Sequence, residues 1–495
     1  MNHALVLFIA VPLLGAALSL PLAKINRRLP SWLALLVSFY LMLTALLLYF
    51  TQSPEVVDVY KIGGWATPLG INLVMDGLSH LLLLVVGLVA GLICVYSMAY
   101  IERYTGQDKY FTLLQLMLVG MNGVVLSGDL FTLFVFLEIA AIATYILVAF
   151  GTEAEELEAA FRYLIIGSVA SLFILLGISL VFSATGNLNL AEIAKVFPRD
   201  VSPLKKFITV LFLAGFGMKA ALVPFHSWLP DAHTAAPAPI SAMLSGVLIK
   251  ILGIYCLVRI FYNVLGIDPQ LLYALSLLGL ISILAGGLLA LFQWDLKRLL
   301  AYSSISQVGY IMLGIGLGTP LGIGAGIFHL FNHALFKPLL FLNAGAIEAS
   351  TGTRQLKEMG GLSKKMPVTF VTSLFGSLSI AGLPPFNGFW SKLFIVLACV
   401  QAGRFWSALI AVLGSILTLA CFLKFLRYAF FEKLPTNLEK VKEAPGLMIA
   451  VTTILALLCL LVGIFSPYLS AWLLNPAMLA VKNGLGYSTL GALKP

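Results

Sequence analysis

Charged side chains are scarce in this sequence of 495 residues. Only 10% of its residues are Asp, Glu, Lys or Arg, whereas 60% are hydrophobic. A water-soluble domain averages about a quarter charged residues, so this composition excludes the soluble class. Apolar runs recur along the whole chain, and many reach the roughly 20 residues that a helix needs to cross a bilayer. Membrane barrel strands alternate polar and apolar residues over only about ten positions, so runs of this length favour helices.

Cysteine is also scarce, and its five copies are too far apart to share a ligand. No two of them form a CxxC pair, and each lies in an apolar run. This spacing argues against an iron–sulfur cluster or a zinc site, so we expect neither a metal nor a cofactor. Each cysteine is predicted to be a small buried hydrophobe. The five are Cys94, Cys256, Cys399, Cys421 and Cys459.

The N-terminal run lacks the basic start of a secretory signal. No Lys or Arg precedes its apolar residues, and Lys24, Arg27 and Arg28 follow directly after them. This order predicts a first membrane helix and not a cleaved leader.

The net charge of +9 is distributed over short loops and not gathered in one patch. That distribution favours the positive-inside rule over nucleic-acid binding. The richer set of alternating loops, which includes Lys297 and Arg298, is expected in the cytoplasm, with both termini outside. A basic stretch at 195–206 is an exception to this pattern.

The hydrophobic pattern predicts an all-α, multi-pass membrane protein of about 14 transmembrane helices in the cell (inner or cytoplasmic) membrane. The predicted spans are 3–23, 30–50, 77–99, 111–127, 130–150, 161–183, 206–226, 239–262, 270–292, 301–318, 321–347, 367–401, 405–430 and 447–474.

Two of these spans contain prolines that should break the helix inside the membrane. One segment reads GMKAALVPFHSWLPDAHTAAPAPISAML and the other SIAGLPPFNGFWSKLFIV. Residues 222–228 of the first align with residues 383–389 of the second, and a lysine lies beside each. Broken helices at matching places predict an internal repeat around an ion or substrate path, since unwound backbone is tolerated only where it faces protein or water.

A few ionisable residues lie inside the apolar spans, where each costs about 2.5–3.5 kcal/mol on insertion scales. The residues are Glu138, Lys219, Lys250, His329, His333, Lys337, Lys392 and Lys424. For Lys424, snorkelling to the headgroups accounts for the charge as well as use in transport does. Three of them, His329, His333 and Lys337, recur every four residues and so share one helix face. Desolvated lysines and histidines tuned by a carboxylate are suited to proton relay.

Metal and haem binding account for the histidines less well than proton relay does. His329 and His333 have the spacing of two metal ligands, but no third ligand lies in that segment. Haem would need paired histidines, and no pairing pattern links His80, His226 and His233.

Five segments in order resemble the antiporter-like subunits of respiratory complex I, Mrp-type sodium/proton antiporters and membrane-bound hydrogenases. They are SGDLFTLFVFLEI, KAALVPFHSWLPDAHTAAPAPISAMLSGVLIK, LKRLLAYSSISQVGY, HLFNHALFKPLLFLNAG and GLPPFNGFWSK. The resemblance runs from about Leu73 to Phe430.

The resemblance implies a division of the chain into four parts. Helices 1–3 (residues 1–109) precede two inverted five-helix repeats at 110–262 and 270–430, each with a broken helix, and a last helix and tail occupy 431–495. It also implies roles for the intramembrane residues: Glu138 as the acid paired with Lys219, Lys250 as the connecting lysine, His329, His333 and Lys337 as a central axis, and Lys392 as the exit-side lysine. Secondary candidates are His226, Lys424 and the pair Asp231 and His233, for which a helix-terminal role is as plausible as a role in proton uptake.

The function expected from this is proton translocation by one subunit of a larger membrane complex, coupled to Na⁺ exchange or to redox chemistry in partner subunits. The partners are other membrane subunits, the bilayer, H⁺ and Na⁺. Lys392 disfavours the complex I subunit type that has a glutamate there, and the short tail after residue 474 disfavours the type with a long lateral helix. Three relatives stay open: the Mrp D subunit, its hydrogenase counterpart and the N-type subunit. The alternatives are a non-pumping structural subunit and a freestanding carrier.

Overall fold

A computed structural model of the chain describes residues 3–51, 57–65, 70–197 and 202–483. The fold is a bundle of membrane-length helices with one small hairpin. The helices are α1 (Ala4–Ile25), α2 (Leu29–Thr51), α3 (Gly77–Tyr100), α4 (Gln107–Leu126), α5 (Leu130–Val148), α6 (Ala154–Thr185), α7 (Leu190–Val196), α8 (Pro203–Lys219), α9 (Trp228–Ala235), α10 (Ala238–Met243), α11 (Cys256–Val258), α12 (Pro269–Phe292), α13 (Leu296–Gly316), α14 (Pro320–Thr351), α15 (Leu362–Lys365), α16 (Pro367–Ala381), α17 (Asn387–Gln401), α18 (Phe405–Leu426), α19 (Gly446–Ile464), α20 (Ser466–Leu469) and α21 (Asn475–Lys482).

Twelve helices within the described ranges are long and apolar enough to cross a membrane. One of them, Ala238–Leu265, joins α10 and α11 through π-helical turns at Leu244–Leu248, Lys250–Tyr255 and Arg259–Leu265. We call it the α10–α11 helix. The multi-pass helical class predicted from the sequence is confirmed.

The two predicted breaks are present. Residues 220–227 interrupt the helix between α8 and α9, and residues 382–386 interrupt the helix between α16 and α17. Each interruption contains a cis peptide bond before a proline, Val223–Pro224 in the first and Pro384–Pro385 in the second.

Helix starts follow local sequence signals. The Asp129 carboxylate accepts a hydrogen bond from Thr132 N (2.7 Å) at the start of α5, and Asp295 accepts one from Arg298 N (3.0 Å) at the start of α13. Such caps satisfy the otherwise unpaired N–H groups of a first turn. Gly352, with φ of 74°, ends α14 in the left-handed region that glycine adopts without strain.

Three expectations need correction. Residues Asp58–Lys61 (β1) and Asn72–Met75 (β2) form an antiparallel hairpin that the hydrophobic pattern did not reveal. The predicted span 447–474 is wrong as a single helix, because α19 ends at Ile464 and short helical pieces follow around Pro467. Lys297, expected in a loop, lies in the first turn of α13, where its side chain is only 4% exposed.

Ion pairs connect the ends of several helices at one end of the bundle. We call this end, which contains Arg162, Asp231, Arg298 and Arg354, the basic end. Arg162 of α6 contacts Asp231 of α9 (3.0 Å), and Arg298 of α13 contacts the same carboxylate (3.3 Å). Arg354, just after α14, pairs with Glu155 (2.9 Å). The loops predicted to be cytoplasmic therefore include several that share one end.

The α10–α11 helix, α13 and α14 form the centre. The membrane-length windows of the first and last are wholly buried within the chain, and that of α13 nearly so. The outer helices α1, α2, α6 and α18 expose rows of Leu, Phe and Trp side chains, as lipid- or partner-facing helices do. Ionisable residues on the central three helices are therefore shielded from lipid by protein. Of the four sequence parts, residues 1–2, 52–56, 66–69 and 484–495 lie outside the described ranges, as do residues 198–201 of the basic stretch.

Candidate functional site

The first break brings a lysine to a carboxylate. Lys219 is the last residue of α8, and its Nζ lies 3.5 Å from Glu138 Oε1 on α5 and 3.4 Å from the Tyr145 hydroxyl. The Ser171 hydroxyl of α6 also donates to Glu138. The Lys219 side chain is 3% exposed and that of Glu138 27%, so the acid lies at the outer edge of the chain and the base inside.

Lys250 lies on the π-helical part of the α10–α11 helix. Its Nζ donates to the backbone carbonyls of Ser245 and Gly246, one turn away. π-Turns are rare and are concentrated at functional sites. Two glycines permit close packing here: a Cβ on Gly253 would meet Ala220 Cα at 2.4 Å, and a Cβ on Gly246 would meet Pro338 Cγ at 2.5 Å.

Those contacts place Lys250 between the first break and α14. Ala220 follows Lys219 directly, and Pro338 follows Lys337 directly. The single α10–α11 helix thus links the lysine of the first break to the central row on α14.

The row on α14 is wholly buried, and each member has a different environment. Lys337 Nζ donates to the Leu300 carbonyl (2.7 Å) and the Ser303 hydroxyl (2.6 Å). His329 Nδ1 lies 2.9 Å from Ser391 Oγ.

His329 Nε2 lies 3.2 Å from Gln307 Oε1. His333 has no hydrogen-bond partner on either ring nitrogen among the described residues. On α14 it lies one turn after His329 and one turn before Lys337, so the three side chains share one face of that helix.

Lys392 lies five residues into α17, beside the second break. Its Nζ donates to the Ile380 carbonyl (2.8 Å) at the end of α16 and lies 4.7 Å from the centroid of the Tyr310 ring. Buried ammonium groups are stabilised by carbonyls and by aromatic faces. His329 contacts Ser391, the neighbour of Lys392, so the α14 row reaches the second break.

The secondary candidates fall in different places. Asp231 belongs to the ion cluster of the basic end, which supports its helix-terminal role. His233 is fully buried, stacks on Phe341 at 4.7 Å and has no hydrogen-bond partner among the described residues on either nitrogen. The stacking on Phe341 brings His233 against α14, the helix that carries the central row.

His226 lies half-buried within the first break. Lys424 lies in the last turn of α18, where its Nζ donates to the Leu291 carbonyl (2.8 Å) and lies 4.2 Å from the centroid of the Trp294 ring.

Sequence reasoning missed two buried ion pairs. Arg259 forms a bidentate pair with Asp76 (Nη1–Oδ2 2.6 Å, Nη2–Oδ1 2.9 Å) at the end of the α10–α11 helix opposite the basic end. Burial raises the pKa of Asp76, but the Arg259 guanidinium and the Ser79 N–H outweigh it and hold that pKa below its usual value. The signal was present, since Arg259 is an arginine within an apolar run.

Lys297 and Glu348 form the second pair, at 2.9 Å near the basic end. Each residue was hidden because it lies near a predicted span boundary, where a charge is usually in solvent.

Comparisons with known proteins identify the family of the chain. A family profile described as NADH:quinone oxidoreductase/Mrp antiporter, TM, matches residues 127–418, which is more than half of the chain. The chain belongs to this family. A second profile, described as NADH-ubiquinone oxidoreductase (complex I), chain 5 N-terminus, matches residues 64–111. The protein is therefore an antiporter-like, proton-translocating membrane subunit that works with other membrane subunits.

Members of this family from several complexes align with it. The Na(+)/H(+) antiporter D subunit of Alkalihalophilus pseudofirmus is 34% identical over 472 residues, covering 93% of this chain and 94% of the relative. The NADH-quinone oxidoreductase N subunit of Desulforudis audaxviator is 39% identical over 382 residues, 76% of each. A chain of the Mrp complex from Dietzia sp. DQ12-45-1b superposes with a TM-score of 0.91 at 28% identity, covering 99% of this chain and all of that one.

Proposed function

We propose that this antiporter-like subunit moves protons along the buried row that joins its two broken helices. The proposed order is Glu138, Lys219, Lys250, then His333 and Lys337, then His329 and Lys392. The observation that supports it is continuity: each residue lies on an element that touches the next, and the central ones are shielded from lipid by protein on all sides. The secondary candidates His226, His233 and Lys424 flank this row, and Asp231 stands at its basic end.

The physical basis is that each lysine has a different stabilising partner. The Glu138 carboxylate favours the ammonium form of Lys219, and a change in their 3.5 Å separation alters how tightly that proton is held. The Lys250 ammonium group is stabilised by backbone carbonyls, and that of Lys392 by a carbonyl and an aromatic ring. Neither is next to a carboxylate in the described structure, so each should release its proton more readily than Lys219. Intramembrane residues of this kind are typical of proton relays.

We further propose that residues 110–262 and 270–430 are the two inverted repeats. The helix α9, which follows the first break, contains Asp231 and so lies at the basic end. The helix α8, which precedes that break, therefore runs toward it from the opposite end of the bundle. The second is approached by α16 from the basic end, since α14 ends there beside Arg354. Two half-helices that run in opposite directions to a mid-bundle lysine support the inverted arrangement.

We propose the D-type subunit of an Mrp-like antiporter as the functional counterpart, with H⁺ exchanged for Na⁺ through partner subunits. The alignment with the antiporter D subunit covers nearly all of both chains, whereas that with the N subunit covers about three quarters of each. Coupling to redox chemistry is the second candidate, favoured by the higher identity to the N subunit. The protein would reside in the cytoplasmic membrane with its basic end inside.

The test is transport by the assembled complex in sealed vesicles. We expect Lys219→Ala and Lys392→Ala each to slow proton flux by roughly 10²-fold, the lower range for loss of a positioned proton-transfer group. The control is Lys195→Ala, since Lys195 is an exposed partner of Glu192 (2.7 Å) outside the row. Normal proton flux in both Lys219→Ala and Lys392→Ala would contradict the proposal and indicate a non-pumping, structural subunit. Transport by the isolated chain in vesicles would indicate a freestanding carrier.

A further inference from the structure

Lys424 is an intramembrane lysine whose contacts lie at the surface of the bundle. Its Nζ donates to the Leu291 carbonyl at 2.8 Å and to the Gln293 carbonyl, both at the end of α12. Leu291 and Gln293 are half-buried residues. These two hydrogen bonds use two of the three N–H groups of the ammonium, so one donor is left over.

A second lysine shares the aromatic ring beside Lys424. The Lys424 Nζ lies 4.2 Å from the centroid of the Trp294 ring, and the Lys357 Nζ lies 4.5 Å from the same centroid. Two ammonium groups so close to one point are separated by about a Debye length or less, so salt does not remove their repulsion. Within the described ranges neither lysine forms an ion pair with a carboxylate. The two like charges therefore lack a counter-charge in that part of the chain.

The Trp294 indole adds a third donor to the two lysines. Its ring is half-buried and lies perpendicular to the Tyr428 ring, with the centroids 5.0 Å apart. Its N–H makes no hydrogen bond to any residue that the structure describes. An indole N–H and an ammonium can donate hydrogen bonds but cannot accept them. A group with a negative charge and several acceptor oxygens would satisfy all three donors.

These donors lie at the basic end of the bundle. Leu356 N donates to the Trp294 carbonyl at 2.9 Å, and the next residue, Asp295, pairs with Arg354 at 2.5 Å. Aromatic side chains at the ends of membrane helices lie at the level of the lipid headgroups. Basic pockets between membrane helices on the cytoplasmic side bind anionic headgroups. The position of the cluster therefore favours a lipid over a soluble anion.

An apolar surface continues from this cluster along α12 and α18. The two helices pack closely, since a Cβ on Gly287 would meet Leu417 Cβ at 3.4 Å. Large hydrophobic side chains are exposed on both helices and just after α18: Leu288, Leu289, Phe292, Leu423 and Phe431. Phe292, two residues before Trp294, is 74% exposed. Acyl chains can pack on such a surface, whereas a soluble anion makes no use of it.

We propose that Lys357, Lys424 and the Trp294 indole bind the phosphodiester of an anionic phospholipid whose acyl chains lie on α12 and α18. The phosphate oxygens accept hydrogen bonds from the two ammonium groups and the indole N–H. The negative charge also offsets the repulsion between the lysines. The site lies outside the proton row and does not depend on the proposed function, and it assigns Lys424 to lipid binding.

The lipid is tested by photolabelling of the assembled complex in phosphatidylcholine vesicles. Two analogues carry a diazirine at the same acyl position, one with the anionic phosphatidylglycerol headgroup and one with the zwitterionic phosphatidylethanolamine headgroup. We expect the phosphatidylglycerol analogue to label residues 288–294 and 420–431 several-fold more strongly. Equal labelling by the two analogues would show acyl contact alone and overturn the proposal. Absence of label from these segments would mean that another subunit covers them, which also overturns it.

The lysines are tested by removing one charge at a time. Lys357→Gln and Lys424→Gln should each lower phosphatidylglycerol labelling about fivefold, the effect of one basic residue at an anionic surface. Lys357 is exposed, so its substitution does not threaten folding, and Lys357→Arg should keep the labelling. The matched control is Lys364→Gln, which removes an exposed lysine of α15 and should change nothing. Undiminished labelling in both site variants would contradict the assignment.

The source of the phosphate is tested by competition. Unlabelled phosphatidylglycerol should displace the photolabel from residues 288–294 and 420–431, and inorganic phosphate at the same concentration should not. Equal displacement by inorganic phosphate would indicate a site for a soluble anion and overturn the lipid assignment. Proton flux is not part of this readout, so a failure of the proposed function leaves the result unchanged.

Discussion

The two broken helices lead to similar lysines through opposite surroundings. The buried face of α8 is apolar, with Ile208, Leu211, Phe212 and Phe216, and it ends at a lysine held by a carboxylate. The buried face of α16 is lined by hydroxyls, and it leads to a lysine held by a carbonyl and an aromatic ring. A broken helix thus carries a charge-paired lysine in one half and a lysine held by a carbonyl and an aromatic ring in the other.

This difference indicates which contacts set the proton affinity of the lysine in each half. A buried ammonium next to a carboxylate is held by charge, and its proton affinity depends on one distance. A buried ammonium without a counter-charge depends on dipoles and on water, which rearrange at lower cost. Under the proposed function, the proton affinity of the first lysine would be set by the distance to Glu138, and that of the second by its carbonyl and ring partners.

The largest effect should come from the ion pair that anchors the first half. Asp76→Leu removes the carboxylate that pairs with the buried Arg259 guanidinium at 2.6 and 2.9 Å, and we expect a loss of about 3–5 kcal/mol in stability, seen as a lower melting temperature of the purified complex. In the second half, the Arg404 guanidinium donates to the Ser276 hydroxyl (3.1 Å), so Ser276→Ala should cost about 1 kcal/mol or less.

The double change Asp76→Leu with Arg259→Leu is the control, because removing both charges removes the desolvation problem. It should recover part of the lost stability. A double variant as unstable as the single one would show that the pair does not act through charge.

The next effect concerns the acid of the first half. Glu138→Gln keeps the shape of the side chain but removes the charge that stabilises Lys219, so proton flux should fall by roughly 10²-fold. Glu192→Gln removes a partly exposed acid that pairs with Lys195 outside the row and should leave flux unchanged. Normal flux in Glu138→Gln would remove the contrast between the halves, since the first lysine would then need no counter-charge.

The smallest effect concerns the ring of the second half. Tyr310→Leu removes the aromatic face 4.7 Å from Lys392, and a cation–π contact of about 1–2 kcal/mol corresponds to a fall in flux of about tenfold. Tyr310→Phe keeps that face and loses only the hydroxyl, which contacts Ser415 at 3.0 Å. Flux in Tyr310→Phe should stay near that of the unaltered protein. If Phe is as harmful as Leu, the hydroxyl and not the ring supports the lysine.

Much of this architecture was predictable because single residues carry strong signals in an apolar chain. Pro224 and Pro385 marked both breaks, and the run of spans predicted the helical class. The boundary at Ile464 was missed because the apolar run continues past Pro467, and hydropathy alone does not register a change in backbone direction. The hairpin at β1 and β2 was missed because four-residue strands leave too short a pattern.

The candidate site was predictable in its members but not in its pairings. Glu138 and Lys219 are 81 residues apart, and Asp76 and Arg259 are 183 apart. The pair of Asp76 and Arg259 was overlooked because the position of Asp76 in the sequence is that of a helix N-cap. Asp76 does cap α3, since its carboxylate accepts a hydrogen bond from Ser79 N at 3.0 Å. The sequence reveals the local role of Asp76 as a helix cap, but not its ion pair with a residue that is distant along the chain.

The sequence by itself determined that this chain crosses a membrane many times, where its helices break and which ionisable residues lie within the membrane spans. Each of these is a property of a short stretch of residues. Only the tertiary structure decided which charged residues pair with each other and which face of α16 is turned inward. Those depend on helices that are distant along the chain, whose contacts are set by glycines such as Gly253 and Gly246, where a single added carbon would collide with the neighbouring helix.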